Sequence, residues 1–372
     1  MVPTKICNRC IMDDNGDSEF VLNNDGTCNY CTYALERMDN VYFPNEEGKD
    51  KLVSMLKTVK DQSKNSKYDC IMGISGGLDS AYLAYLGSKI WGLRILGVHI
   101  DDGFDSPIAK ENIQNLTTNC GIELINEQID QEQFNDLTRS FLVAGLPGIC
   151  IPQDNVLVAR LFQIAEEKKL SNFLSGTNFA AESILQRGGM HNASDKVHIK
   201  DVHNKYGLKS INKLPLLSLF DRYIKYKYIK KQNYLRPLDF IDYNVANSIE
   251  ELKNVGFNYY EGKHYESILT RFLQVYYLPK KFNVDIRKSH ISSLIISGQI
   301  SRNEALEELK KPLYDEEKIQ EDIDFILSKL KISRQEFESI MQERPRNHLD
   351  FKYSKLIKYT GLARKYRKHL SD

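Results

Sequence analysis

The sequence predicts an α/β protein whose parallel sheet follows a small cysteine-rich module and precedes a helical domain. Three observations predict this organisation. Two pairs of cysteines lie within the first 31 residues, short apolar runs alternate with helical patterns from about residue 68 to residue 178, and helical patterns alone follow residue 244. Strands that alternate with helices are typical of βαβ units, which form parallel sheets. We expect three domains, at residues 1–45, 46–243 and 244–372.

The composition excludes several classes of protein. The 372 residues include 51 Lys and Arg against 50 Asp and Glu, a net charge of +1, which argues against a protein held to nucleic acid mainly by its overall charge. No run approaches the ~20 apolar residues that span a bilayer, and the N-terminus lacks the apolar core of a secretion signal. We expect a soluble, cytoplasmic protein without a membrane partner.

The first element is a cysteine quartet. Cys7 and Cys10 form one C-x2-C pair, Cys28 and Cys31 form a second, and seventeen residues separate the pairs. This spacing is typical of a structural zinc site, in which four thiolates complete a tetrahedral shell and leave no open position for catalysis. Few large apolar residues surround the pairs, so bound metal would supply much of the folding energy. The alternative, four free thiols in an unstructured arm, leaves two intact and correctly spaced pairs unexplained.

The strands and helices follow from hydrophobic periodicity. Short apolar runs predict strands over residues 70–74, 95–100, 122–125 and 173–174. Helical periodicity predicts helices over residues 80–90, 108–119, 155–168, 246–254, 264–277, 302–309 and 316–330. The basic segment 363–369 is expected to be a solvated helix end.

The sequence Ser-Gly-Gly-Leu-Asp-Ser joins the first predicted strand to the next helix. Gly76 and Gly77 lack a Cβ, so their backbone N–H groups can approach an anion closely. Ser75 and Ser80 add hydroxyl donors, and the helix N-terminus adds partial positive charge. Asp79 would repel a bare phosphate unless it holds a Mg²⁺ ion that bridges phosphate oxygens. The alternative is a tight turn with an aspartate or serine N-cap; the lysine of a kinase-type P-loop is absent.

With this motif the sequence resembles the PP-loop ATP pyrophosphatase superfamily, which includes GMP, NAD and asparagine synthetases and tRNA-modifying enzymes. The resemblance implies an adenine nucleotide α-hydrolase-like, Rossmann-like domain that binds the pyrophosphate of ATP at this loop and transfers AMP to a carbonyl-type oxygen. A Gly-Thr-Asn-x-x-x-Glu segment implies that Gly176 and Thr177 bind ATP and that Glu182 shares Mg²⁺ with Asp79. The position of Asp101 after the second strand implies a contact with adenine or ribose. Taken alone, that aspartate is more often a strand-end cap, and the glutamate a solvated helix residue.

Two narrower blocks, Gly-Lys-His-Tyr-Glu from residue 262 and Ser-Gly-Gln from residue 297, resemble the N-acetyl sugar amidotransferases of bacterial surface-polysaccharide and nonulosonic acid pathways. The resemblance spans nearly the whole chain and implies conversion of an acetamido group on a nucleotide-activated sugar to an acetamidino group. Lys263 or Arg271 would neutralise phosphate or carboxylate charge, and His264 would assist proton transfer. The predicted helix over 264–277 would place this histidine and arginine on one face. Composition alone favours an ordinary charged helix face over a functional cluster.

Ammonia for such a reaction requires a source. A glutaminase needs an activated cysteine with a histidine partner, and none of Cys70, Cys120 and Cys150 has a histidine nearby in sequence. We therefore predict a separate glutaminase subunit, with ATP, Mg²⁺ and Zn²⁺ as cofactors and the cysteine module as one candidate docking surface. A tRNA-modifying PP-loop enzyme is the main alternative, favoured by the basic and aromatic segment 222–231. A nucleotide-binding scaffold without catalysis is the second alternative.

Overall fold

The computed structural model of the chain describes residues 4–260 and 262–359, so the predicted helix end at 363–369 lies outside them. The strands are β1 (Cys70–Gly73), β2 (Ile95–Asp101), β3 (Glu123–Gln128), β4 (Asn172–Leu174) and β5 (Asn233–Leu235). The α-helices of the described residues are α1 (Asn29–Val41), α2 (Glu46–Gln62), α3 (Leu78–Tyr85), α4 (Pro107–Cys120), α5 (Gln131–Val143), α6 (Ile151–Glu167), α7 (Phe179–Glu182), α8 (Lys196–Tyr206), α9 (Val245–Leu252), α10 (Ile268–Phe272), α11 (Arg287–Ile296), α12 (Arg302–Leu309), α13 (Glu316–Leu330) and α14 (Arg334–Gln342). Shorter stretches of π- or 3₁₀-helix cover Leu86–Ile90, Asp221–Ile229, Pro237–Phe240, Lys253–Val255, Leu273–Phe282 and His348–Asp350.

The sheet is parallel throughout, in the order β3-β2-β1-β4-β5. The strand order reverses at β1, which pairs with β2 on one side and with β4 on the other. In open α/β sheets, ligands bind in the crevice at the carboxyl ends of the strands where this reversal occurs. The fold therefore places the loops after β1 and β4 side by side at the expected binding position.

The predicted fold class is confirmed. The four predicted strands are present, and the helices α12 and α13 have the predicted bounds. The fifth strand, β5, escaped prediction because it has three residues at the sheet edge, of which Asn233 and Tyr234 are exposed. Such a segment has no apolar run to mark it as a strand.

The predicted helix over residues 264–277 is wrong in its first turn. Residues 262–267 form a loop, α10 begins at Ile268, and the Ser267 side chain caps it by accepting a hydrogen bond from the backbone N–H of Thr270. The backbone of residues 266–268 pairs with residues 104–106: Ser106 N–H donates to the Glu266 carbonyl over 2.8 Å, as does Ile268 N–H to the Phe104 carbonyl. The helix cannot begin before Ile268, because this pairing holds the preceding backbone in an extended conformation.

The C-terminal helices pack against the sheet domain and the cysteine module. Helix α11 lies against α7 and α1, and α10 lies against α13. Three buried serines on one face of α11 contribute to these contacts. Each serine hydroxyl accepts a hydrogen bond from a backbone N–H group on the other side of the interface. The opposite face of α11 is left to line a cavity. None of the helices within residues 4–260 and 262–359 is both long and apolar enough to cross a bilayer.

Candidate active site

The glycine loop, residues 75–80, connects β1 to α3 at the carboxyl edge of the sheet. Gly76 has φ +76°, and a Cβ there would lie 2.6 Å from the Ala109 carbonyl oxygen, so only glycine fits without strain. The Ser75 hydroxyl accepts a hydrogen bond from Gly77 N–H over 3.1 Å. The loop thus curves around its own hydroxyl, and the side chains of Ser75, Asp79 and Ser80 line the crevice.

The loop after β4 packs directly on the glycine loop. A Cβ on Gly176 would lie 3.0 Å from the backbone nitrogen of Ser80, so glycine permits this close approach. Asn178 caps the short helix α7 with its side-chain oxygen, and its amide nitrogen donates to Asp79 Oδ1 over 3.3 Å. The cap orients α7 so that its last residue, Glu182, faces the glycine loop.

Asp79, Glu182 and Lys263, hereafter the Lys263 triad, meet at one point. Lys263 Nζ lies 2.6 Å from Asp79 Oδ2 and 3.0 Å from Glu182 Oε1. The Tyr243 hydroxyl also donates to Asp79. Burial alone would raise the pKa of Asp79, but the Lys263 ammonium and the tyrosine hydroxyl hold it below its usual value. Burial would lower the pKa of Lys263, and the two carboxylates raise it above its usual value instead.

The Lys263 triad fits the predicted magnesium ligands. Its two carboxylates contact the same nitrogen, so they already converge on a single cation. Carboxylate oxygens are the protein ligands that Mg²⁺ prefers. Asp79 and Glu182 would hold the ion, which supplies charge neutralisation for phosphate oxygens, once the lysine ammonium moves off the shared point.

A cavity of about 540 Å³ opens beside the triad. The glycine loop and the loop after β4 form one wall of the cavity, and the 262–267 loop with α11 and α12 forms the other. The polar side chains that line it are those of Ser75, Asp79, Ser80, Ser175, Thr177, Glu182, Tyr259, Tyr260, Lys263, His264, Tyr265, Glu266, Gln274, Arg287, His290, Glu304 and Glu308. The sheet domain and the C-terminal helices therefore share one site.

Two histidines and a glutamate also line this cavity. His264 has φ +66°, its Nδ1 lies 3.8 Å from Glu266 Oε1, and its ring centre lies 5.7 Å from that of His290. Burial would lower the pKa of His264, but the glutamate raises it above its usual value. Burial and the neighbouring His264 and Lys263 lower the pKa of His290, which is therefore neutral at pH 7. The pair therefore combines an imidazole made more basic by Glu266 with an imidazole that stays neutral.

The Glu266 carboxylate lies against the glycine loop. A Cβ on Gly77 would lie 2.5 Å from Glu266 Oε1, so this glycine also makes room for the carboxylate. The other oxygen, Oε2, is buried without a hydrogen-bond partner. A carboxylate therefore stands where the loop would contact a phosphate, and an anionic ligand must displace it.

The structure does not bring three of the predicted ATP-site and catalytic residues, Arg271, Asp101 and Gly76, to the lining of this cavity. Arg271 forms a two-pronged ion pair with Asp322, at 2.7 and 2.6 Å, and lines a second cavity of about 580 Å³. The side chains of Tyr259 and Tyr260 lie between the two cavities and line both. Asp101 lies at the end of β2 and accepts a hydrogen bond from Gly103 N–H over 2.8 Å. The expected face shared by the histidine and the arginine is wrong, because only the arginine is helical.

Several residues at the site were not assigned a role from sequence. Tyr243 and Asn178 bond to Asp79, and His290 and Glu266 line the cavity. The glutamate ends the Gly-Lys-His-Tyr-Glu block that carries the family resemblance, and the tyrosine is flanked by Asp242 and Asn244. Only the folded chain shows what these two side chains contact.

The cysteine cluster, Cys7, Cys10, Cys28 and Cys31, is fully buried, and its four sulfurs lie within 4.8 Å of one another. The sulfurs of Cys7 and Cys31 are 3.8 Å apart, and those of Cys10 and Cys28 are 3.7 Å apart. Zn–S bonds of about 2.3 Å in a tetrahedron place sulfurs about 3.8 Å apart, so the cluster fits a zinc ion. Backbone N–H groups also donate to three of the sulfurs, at 3.2 to 3.5 Å, which stabilises thiolates.

One arginine fastens the cysteine cluster to the C-terminal helices. Arg302, the first residue of α12, donates to the Cys10 carbonyl over 3.0 Å and to the Cys7 carbonyl over 3.1 Å. Lys288 of α11 pairs with Asp13. The first knuckle therefore packs against the two helices that form the far wall of the cavity, and this face of it is covered by the chain itself.

Two family models match the chain. Residues 50–184, which hold β1 to β4 and the glycine loop, match the NAD synthase family. The fold and this match agree with the resemblance of these residues to the PP-loop ATP pyrophosphatase superfamily. Residues 266–365 match the C-terminal domain of WbpG-like LPS biosynthesis proteins. The chain thus joins a segment similar to NAD synthases to a segment similar to the C-terminal domain of a lipopolysaccharide biosynthesis family, and the resemblance deduced from its motifs is confirmed at that level.

Curated relatives match through the PP-loop region. The chain is 27% identical over 152 residues to the glutamine-hydrolysing GMP synthase of Blochmanniella pennsylvanica, covering 40% of this chain and 27% of that protein. It is 26% identical over 141 residues to one subunit of the glutamine-hydrolysing GMP synthase of Archaeoglobus fulgidus, covering 36% and 42%. It spans less than half the length of either relative. The NMN synthetase structure from Francisella tularensis is 13% identical, with a TM-score of 0.31, over 59% of this chain and 100% of that one.

Proposed function

We propose that the chain is an ATP-dependent amidotransferase that converts an acetamido group of a nucleotide-activated sugar to an acetamidino group. One observation carries the proposal: a single cavity has the glycine loop on one wall and helices of the WbpG-like domain on the other. ATP bound on the first wall would thus meet an acceptor bound on the second. The expected domains, 1–45, 46–243 and 244–372, would supply a structural zinc, the ATP site and the sugar site.

The chemistry follows from the poor reactivity of an amide. The amide oxygen attacks the α-phosphorus of ATP, pyrophosphate leaves, and an O-adenylyl imidate forms. Ammonia then adds to the imidate carbon, AMP departs with the former amide oxygen, and the amidine remains. Preorganised donors stabilise the charge that develops on the leaving pyrophosphate. In this chain those donors are the loop N–H groups, the hydroxyls of Ser75 and Ser80, and a cation held by Asp79 and Glu182.

The Lys263 triad suggests how the site changes when the nucleotide binds. A magnesium ion between Asp79 and Glu182 would release the Lys263 ammonium, which is then free to contact phosphate oxygens. His264, whose pKa is raised by Glu266, would carry the proton lost by ammonia when the new C–N bond forms. His290 stays neutral and would accept a hydrogen bond from the acceptor.

A separate protein would supply the ammonia. Burial raises the pKa of Cys70, Cys120 and Cys150, whereas a nucleophilic cysteine needs a lowered pKa. The remaining four cysteines form the cluster. Two relatives are named as glutamine-hydrolysing, and one of these names describes a separate subunit. We propose a glutaminase partner on that basis.

The alternative is a tRNA-modifying enzyme that uses the basic and aromatic segment 222–231. Much of this segment bonds within the chain. Tyr226 stacks on Phe162 with ring centres 4.3 Å apart, and Lys225 and Lys230 both lie within ion-pair distance of Glu166. The segment therefore covers α6, and fewer of its charges are available to RNA than its composition indicates.

Product analysis tests the proposal. The purified chain is incubated with ATP, Mg²⁺, an ammonium salt and a panel of diacetamido nucleotide sugars whose amide oxygens carry ¹⁸O. We expect AMP that contains ¹⁸O, unlabelled pyrophosphate, and a sugar in which one oxygen has become NH. The Asp79→Asn variant should form no AMP. Unlabelled AMP would show that water is the acceptor, and AMP that forms only with added tRNA would support the alternative.

A further inference from the structure

Three side chains at the end of β2 form a cluster outside both cavities. His99, Asp101 and Asp105, hereafter the β2 cluster, each offer one ligand atom within 4.8 Å of the others. His99 is buried, and Asp105 is 12% exposed. The cluster lies beneath the glycine loop, because the histidine bonds to the residue that precedes that loop.

The hydrogen bond to the loop fixes the tautomer of His99. Its Nδ1 lies 3.0 Å from the carbonyl oxygen of Ile74. A carbonyl only accepts, so Nδ1 carries the proton. When the ring is neutral, the lone pair of Nε2 therefore points toward the cluster. Histidines that bind metals usually donate their other N–H group to a carbonyl or carboxylate in this way. The ring is therefore oriented as a metal ligand.

Asp105, which lies beside His99, has a buried carboxylate oxygen without a hydrogen-bond partner. Asp105 Oδ2 lies 3.0 Å from His99 Nε2, but it is buried and has no hydrogen-bond partner of acceptable geometry. Two ligands bound at right angles to one ion, each with a bond of about 2.1 Å, lie about 3.0 Å apart. The distance fits two ligands on one cation, and the poor alignment disfavours a simple hydrogen bond.

The β2 cluster and the neighbouring Asp102 together carry excess negative charge. Asp101, Asp102 and Asp105 lie within five residues of one another. Asp102, the middle one of the three in sequence, is buried. Its own oxygens already accept hydrogen bonds from Phe104 N–H and Gln153, so it is not itself free to bind an ion. A divalent cation in the cluster would neutralise this charge.

We propose that His99, Asp101 and Asp105 bind a divalent transition-metal ion of the Mn²⁺ or Zn²⁺ class. Imidazole suits such ions, whereas Mg²⁺ prefers oxygen ligands alone. The ion would join three segments: β2, the glycine loop through the Ile74 carbonyl, and residues 104–106, whose backbone pairs with residues 266–268. It would thereby fix the position of the 262–267 loop relative to the glycine loop.

Manganese binding to the full chain tests this site without any measurement of activity. The zinc-loaded protein is titrated with Mn²⁺ in the absence of ATP and Mg²⁺, and the free ion is followed by electron paramagnetic resonance. We expect one tight Mn²⁺ per chain, with echo-modulation from a histidine nitrogen. Asp105→Asn and His99→Gln should weaken binding at least tenfold, and His99→Gln should abolish the nitrogen signal.

Two controls separate the β2 cluster from other sites. Asp102→Asn removes the same charge nearby and should retain the ion, as should Asp79→Asn in the Lys263 triad. Circular dichroism and thermal unfolding establish that each variant is folded. Loss of the ion only in Asp79→Asn would overturn the proposal, because the ion would then belong to the triad. Equal affinity in all variants, or no uptake of either Mn²⁺ or Zn²⁺, would also overturn the proposal. His99 and Asp105 would then form only an ion pair.

Discussion

The cysteine cluster and the Lys263 triad both gather like charges at one buried point, but only the triad carries its own counter-ion. Four thiolates at this spacing would repel one another, so we expect a metal ion at their centre. Asp79 and Glu182 instead close on a lysine ammonium. We therefore expect the cluster to hold a permanent ion and the triad to exchange one.

This difference separates structural from catalytic chemistry within one chain. A closed four-sulfur shell has no position for substrate, whereas two carboxylates with a mobile counter-ion can accept and release a metal with its nucleotide. The two regions are also joined, because Arg302 contacts the cysteine knuckle while other residues of α11 and α12 line the cavity. Loss of zinc should therefore disturb the acceptor wall more than the glycine loop.

The largest effect is expected from removal of a zinc ligand. Cys28→Ser should abolish zinc binding and strongly lower the melting temperature, since structural zinc contributes on the order of 10 kcal/mol to small modules. Metal analysis and thermal unfolding measure both. Cys120→Ser, a buried cysteine outside the cluster, is the matched control and should retain zinc. An unchanged melting temperature in Cys28→Ser would mean that the module folds without metal.

A smaller but more informative effect is expected from Lys263→Met. The change leaves two buried carboxylates without their cation, which costs about 3–5 kcal/mol when a buried partner is removed. Because Mg²⁺ can replace the ammonium, adding it should restore the stability of this variant more than it stabilises the wild type. Thermal unfolding with and without Mg²⁺ measures the difference.

Arg271→Met is the matched control for that experiment. It also removes the cation of a buried ion pair, but its partner Asp322 stands alone. Magnesium should therefore not restore its stability. If both variants respond to Mg²⁺ equally, or neither responds, Asp79 and Glu182 do not form a shared cation site.

Removal of the contact between Arg302 and the cysteine knuckle should have a moderate effect on zinc retention. Arg302→Gln removes charged hydrogen bonds to two knuckle carbonyls, each worth about 1.5–3 kcal/mol, so zinc should leave the cluster faster. The rate of zinc transfer to a chromogenic chelator measures this. Arg334→Gln, which alters an exposed ion pair on α14, is the control. Equal rates in the two variants would show that Arg302 does not hold the knuckle.

Local patterns predicted the sheet domain and half of the site. Ser75 to Ser80 are contiguous, and the motif that contains Glu182 follows its own strand, so spacing alone identifies both. The 262–267 loop could not be predicted, because its conformation depends on pairing with residues 104–106, far away in sequence. The same long-range contacts determine which charged residues reach the cavity, and they separate Arg271 from His264.

The hydrogen bond from Tyr243 to Asp79 could not be predicted from the sequence for a related reason. A tyrosine in a polar loop has no periodicity, and its partner lies on another element. The β2 cluster could likewise not be predicted from the sequence. The family resemblance implies a nucleotide contact for Asp101, and the apolar run around His99 indicates only a strand. Side chains from separate elements define these sites, whereas the sequence shows only the elements.

The smallest effect is expected at the glycine loop. Glu266 places a carboxylate against Gly77, where the pyrophosphate of ATP would bind, so Glu266→Gln should tighten ATP binding. Removal of one like charge, which the bound nucleotide would displace toward solvent, is worth on the order of 1 kcal/mol, or about fivefold in the dissociation constant. Calorimetry with MgATP measures it, and Glu308→Gln, on the far wall of the cavity, should leave the affinity unchanged. Weaker binding by Glu266→Gln would mean instead that the carboxylate orders the loop for its ligand, and the loop would then resemble the cysteine cluster in needing a fixed partner.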